Sequence, residues 1–129
     1  MDRKHASLLA ALTSIAASNK EGFTVSAATL RPVNAGYAVA VADTQNSFDL
    51  EGLVRVVEYV ESHEDATAFG GWYNEENGKF YFDATIICGT LKEAKEIGRA
   101  NDQIAIFDLN EKRKSDFEKT HEGVETHPF

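Results

Sequence analysis

The chain has 129 residues, which is the size of one domain and enough for a core of its own without disulfide or metal staples. Its formal charge of −8 excludes nucleic-acid binding driven by phosphate neutralisation and disfavours an anionic membrane surface. A single cysteine, Cys88, excludes an intrachain disulfide and fits a reducing compartment.

Residues 2–20 read as a helix, because Leu8, Leu9, Leu12, Ile15 and Ala16 recur at helical spacing and form one apolar stripe. The apolar stretch 6–17 is too short to span a bilayer, and its helix-periodic, alanine-rich pattern argues against a signal peptide. A cytoplasmic protein with no membrane partner is expected. Asn19 and Gly22 end the helix, and Phe23–Ala28 alternates as a strand. Gly36–Asp43 is the clearest strand; it is apolar on both faces and is therefore expected in the sheet interior.

A polar break at Thr44–Ser47 leads to a second helix over 48–63, with Leu50, Leu53, Val54, Val57 and Val60 as its buried stripe. Residues 67–73 and 79–88 then form a hairpin, signalled by Asn77-Gly78 in the connecting loop. In its second arm Phe80, Phe82, Ala84 and Ile86 share one face, and Tyr81, Asp83, Thr85 and Ile87 share the other. Thr90-Leu91-Lys92-Glu93 is a capping box that opens a third helix to about Ala100. Gln103–Leu109 is a last strand. Residues 110–129 are rich in charge and read as a polar, flexible C-terminal tail, so 1–109 is the expected domain. The order α-ββ-α-ββ-α-β predicts an α+β fold of two layers, with a mostly antiparallel five-stranded sheet and helices mainly on one face.

Three segments, GYAVAVADTQNSFDLEGL, GGWYNEENGKFYFDATI and LKEAKEIGRANDQIAIFDL, carry a resemblance. They resemble a group of small proteins of bacteriophages and other bacterial mobile elements, in which a Thr-Gln-Asn-Ser passage, a Gly-Gly-Trp and a Gly-Lys-x-Tyr-x-Asp hairpin recur. The match covers a little over half the chain. The group has no established activity, so the resemblance implies a setting and no catalytic residues: an accessory protein in the cytoplasm of a bacterial host.

The residues themselves offer little chemistry. Cys88 shares the face of Phe80, Phe82 and Ile86, which favours a structural thiol over a nucleophile served by His63. His121, Glu122, Glu125 and His127 lie close together, but a polar tail does not hold metal ligands rigidly. Neither a metal nor a cofactor is expected. Gly70-Gly71 lacks the spacing and the Lys of a phosphate loop and reads as a bulge or as close packing against another backbone. Asp83 lies within a strand among aromatics, where burial would raise its pKa and suit it to acid–base work; the plainer reading is that it faces solvent or takes a hydrogen bond from a neighbouring hydroxyl such as Tyr81 or Thr85.

The leading expectation is a non-enzymatic protein that binds a host protein, such as a defence component with a basic surface. Its interface would use Trp72, Tyr73, Tyr81 and Asp83 with the acidic residues Glu58, Glu61, Glu64, Asp65, Glu75 and Glu76. The alternative is a small ligand-binding or enzymatic domain with a polar pocket formed by Asp83, Gln45 and Asn46. A third reading is a homodimer joined through an open sheet face.

Overall fold

In a computed structural model the fold is α+β, one antiparallel sheet with helices on one of its faces; residues 3–100, 105–110 and 124–126 are described. The elements run α1 (Arg3–Ser18), β1 (Phe23–Ser26), β2 (Tyr37–Ala40), a 3-10 turn (Ala42–Thr44), β3 (Ser47–Phe48), α2 (Asp49–Ser62), β4 (Ala68–Asn74), β5 (Lys79–Cys88), α3 (Leu91–Ala100), β6 (Ala105–Asp108) and β7 (Val124–Thr126). None of the described helices is long and apolar enough to cross a membrane.

The strand order is β1-β4-β5-β2-β6-β7, with β3 paired to β5 beside this path. The sheet therefore has seven strands rather than five. The two additions are short: β3 is too brief to show an alternation, and β7 forms in a polar sequence, where backbone pairing to β6 carries it. Of the segment 110–129, Asn110 and Val124–Thr126 are described, and the latter is this added strand. β2 lies between β5 and β6, as its two apolar faces require.

One core holds the layers together. Leu9, Leu12 and Ala16 of α1, Leu53, Val56 and Val57 of α2, and Ala94 of α3 pack with Val25, Val39, Phe69, Phe82, Ala84, Ile86, Cys88 and Ile106 of the sheet. Strand alternation places all these sheet residues on the same face, so all three helices lie on that face. The N-terminal helix thus belongs to the same layer as the other two.

The buried stripe of α2 differs from the expected one. Leu50 is 62% exposed, while Gly52 and Val56, outside the expected stripe, are buried. Gly52 has no side chain, so the helix turns that side against the backbone of Ser47, and the buried arc centres nearer Val56. α3 begins after the predicted cap: the Glu93 N–H donates to Thr90 Oγ1 at 3.1 Å. The Glu93 carboxylate reaches back one residue further than a standard capping box and accepts from the Gly89 N–H at 2.9 Å.

Candidate functional site

The β4–β5 hairpin positions the residues of interest. Its register pairs Gly70 with Asp83, Trp72 with Tyr81 and Asn74 with Lys79, and the turn closes with Gly78 at φ +71, where glycine carries no Cβ penalty. Side chains directly opposite share a face, so Trp72, Tyr81, Asp83 and Thr85 all lie on the sheet face opposite the described helices.

An aromatic row crosses this face. β3 brings Phe48 opposite Tyr81, with ring centroids 5.5 Å apart, and Tyr81 stacks on Trp72 at 5.2 Å with 19° between planes. Lys79 Nζ lies 3.9 Å from the Phe48 ring centroid, and Asn77 Nδ2 donates to the Tyr81 hydroxyl at 2.8 Å. Trp72 is 46% exposed.

β3 is held in place firmly for a strand of two residues. Arg55 Nε donates to Ser47 Oγ at 3.1 Å, and its Nη2 donates to the same oxygen at 2.9 Å and to the Asn46 carbonyl at 3.3 Å. Asn46 (φ +60) and Asp49 (φ +58) flank it in the left-handed region, a costly conformation for residues with a Cβ. Thr44 ties the preceding turn to β5. Its hydroxyl donates to the Val41 carbonyl and accepts from the Ala84 N–H at 3.1 Å.

Next to the row lies Asp83. A Cβ on Gly70 would stand 2.7 and 3.1 Å from its two carboxylate oxygens, so the carboxylate leans across the glycine. A bulge or close packing against another backbone is the expectation for this pair of glycines; the packing found is against side chains, and at Gly71 the Phe23 ring fills the space on the opposite face. Thr85 Oγ1 donates to Asp83 Oδ1 at 2.5 Å, the hydroxyl contact expected from sequence. Burial pushes the Asp83 carboxyl up to about 6, opposed by the Thr85 hydrogen bond. Its hairpin neighbours on this face include the small buried residues Ala68, Gly70 and Thr85.

No family model, curated protein or solved structure matches this chain. Its functional reading therefore rests on the site's own chemistry.

The remaining interface candidates fall elsewhere. Tyr73 alternates to the helix-bearing face, where it packs near Phe80 and lies under Lys20. Glu75 and Glu76 are exposed at the hairpin tip, at the aromatic end of the site. Glu58, Glu61, Glu64 and Asp65 are exposed on α2 and just beyond it, in the helical layer; Glu61 pairs with His5, and Glu58 lines a groove with His5, Leu9, Val54 and Val57. The structure thus groups Trp72, Tyr81 and Asp83 and separates them from the α2 acids. Gln45 and Asn46 are exposed just before β3. Phe48 escaped the sequence reading because it was taken as the start of α2.

Among the described residues no three His, Cys, Asp or Glu side chains gather as a metal site, and the histidines of the 121–127 cluster lie outside them. His63 stacks on Tyr59 with centroids 3.7 Å apart and bonds to Tyr59 and Ser62. Cys88 is buried at 1% exposure, and burial, together with the nearby Glu93 charge, pushes its thiol up. The folded protein should react with a thiol reagent such as DTNB far more slowly than the urea-unfolded chain. Equal rates would remove the structural assignment of Cys88.

Proposed function

We propose that this chain is a non-enzymatic binding protein of phage or mobile-element origin, working in the bacterial cytoplasm and docking a host protein on the sheet face opposite its described helices. The observation that carries the reading is the Phe48–Tyr81–Trp72 row, which ends in a tryptophan 46% exposed on the sheet face opposite the described helices. Tryptophan and tyrosine are the residues that most often anchor protein interfaces. The charge of −8 favours a partner with a basic surface, and a host defence component is the partner class that suits the mobile-element resemblance.

Affinity capture from a bacterial lysate tests this with three baits: the wild type, Trp72→Ser and the helix-surface control Glu96→Gln. One protein retained in stoichiometric amount by wild type and control, and lost with Trp72→Ser, is the expected result. Capture that ignores Trp72, or no specific capture, would overturn the reading.

One observation favours a second reading. A carboxyl pushed up to about 6 lies in the range useful for general acid–base work, which suits a small enzyme or ligand-binding domain built around Asp83. A thermal-shift screen of metabolites that raises the melting temperature of wild type but not of Asp83→Asn would favour it over docking. The third reading, a second copy on the same face, is decided by light scattering.

A further inference from the structure

We propose that the sheet face opposite the described helices receives an arginine side chain of the protein partner, with its guanidinium on the Asp83 carboxylate and its plane laid along Trp72. The inference rests on the docking reading above and names the chemistry of recognition.

Asp83 is a carboxylate with unused capacity. An ionised carboxylate accepts about four hydrogen bonds. Among the described residues Asp83 takes one, from the Thr85 hydroxyl to Oδ1, and makes no ion pair. The hairpin's sole Lys or Arg is Lys79, whose Nζ is committed to the Phe48 ring at 3.9 Å. The acceptor oxygens are therefore left for a donor from outside.

Small side chains flank them on one side and aromatic rings on the other. Gly70 lies directly beneath the carboxylate, Ala68 and Thr85 follow along the hairpin on one side, and Trp72 and Tyr81 on the other. Trp72 stands two residues along β4 on the same face, its ring nearly parallel to Tyr81. A carboxylate beside an exposed aromatic plane suits arginine better than lysine. The guanidinium is flat, stacks on aromatic rings, presents donors in a fork that matches carboxylate oxygens, and is more weakly hydrated than an ammonium.

Charge selects the same class of occupant. Glu75 and Glu76 at the hairpin tip and the overall −8 draw a basic surface in and repel nucleic acid. A second copy of the chain would bring Asp83 and these glutamates against their own kind.

The test is a titration of the 15N-labelled full chain with N-acetyl-arginine methylamide, followed through the Trp72 indole and the amides of Gly70, Asp83 and Thr85. Blocked citrulline serves as the uncharged isostere. Saturating shifts at these four groups are expected, with binding weakened about tenfold or more for citrulline and for Asp83→Asn, as loss of a charge-assisted bidentate pair implies. No response on this face, equal binding of citrulline, or full affinity in Asp83→Asn would overturn the proposal. So would binding that emerges only when Lys112, Arg113 and Lys114 are all changed to Gln, since the chain's own basic segment would then be the occupant. Trp72-dependent capture without an arginine response removes the arginine assignment alone. An arginine response without such capture removes the docking reading, and with it the protein source of the arginine.

Discussion

Asp83→Asn should make the protein more stable at pH 8, and at pH 4 leave it unchanged or less stable by no more than about 1 kcal/mol. Burial raises the Asp83 pKa from 3.8 to about 6. Between those values the folded protein holds a proton that the unfolded chain has released, so this residue's contribution to stability falls as pH rises through that window. Above pH 6 the penalty is complete. A shift of two units at about 1.4 kcal/mol each corresponds to about 3 kcal/mol, and the solvent contact that Asp83 keeps lowers this to about 2 kcal/mol. Asparagine keeps the size and an oxygen to accept from Thr85, while its new amide donors lose some hydration, about 1 kcal/mol at most. The net gain at pH 8 is then about 1–2 kcal/mol, or several degrees in melting temperature for a chain of this length. Urea denaturation of both proteins at pH 4 and pH 8 reads the difference directly, and equal midpoints at pH 8 would show that Asp83 is not held in a desolvated site. The sign also bears on function. A carboxylate that weakens the fold, where a neutral isostere would serve, is the kind of residue kept for binding or chemistry.

The elements that the sequence revealed are those with a clear period or a strong local signal. The stripe of α1 and the Asn77-Gly78 turn describe their elements correctly, and the two-sided apolar run places β2 inside the sheet, although the strand expected over Gly36–Asp43 ends at Ala40 and Ala42–Thr44 forms a 3-10 turn. The hairpin register follows from that turn, and it alone places Trp72, Tyr81 and Asp83 on one face. Tertiary contacts hid the rest. Phe48 joins the aromatic row only because β3 docks on β5, and a strand of two residues has no period to read. Leu50 lies at helical spacing from Leu53 and is exposed all the same, because the close approach of Gly52 to Ser47 rotates the buried arc. The acidic residues were grouped by charge alone, and charge says nothing of layer: Glu58, Glu61, Glu64 and Asp65 belong with the helices, across the sheet from Asp83. That Asp83 takes one side-chain hydrogen bond among the described residues is a property of the assembled sheet, and no local pattern announces it.

Gly52→Ala should destabilise the protein, although alanine is the better helix former. The helix-propensity gain at an interior position is about 1 kcal/mol. Against it stands a backbone collision: a Cβ on Gly52 would lie 2.8 Å from Ser47 Cα and 2.9 Å from its carbonyl oxygen, with the carbonyl carbon nearer still. Ser47 cannot yield cheaply. It pairs with Phe82, Arg55 holds its hydroxyl, and the chain on either side is fixed by the left-handed residues Asn46 and Asp49. The helix must move instead, and α2 carries Leu53, Val56 and Val57, all nearly fully buried against the sheet. Overpacking of this kind costs about 3 kcal/mol or more when neither side can relax. The net loss is therefore about 2 kcal/mol or more, seen as a lower urea midpoint with an unchanged slope. The variant also probes the candidate site, because displacing β3 shifts Phe48 from its place on Tyr81 and disturbs the row that ends at Trp72. A change in the fluorescence of Trp72, the chain's only tryptophan, should accompany the loss of stability. A Gly52→Ala protein as stable as wild type, with unchanged Trp72 emission, would mean that α2 and β3 are not locked together and that the aromatic row does not depend on their contact.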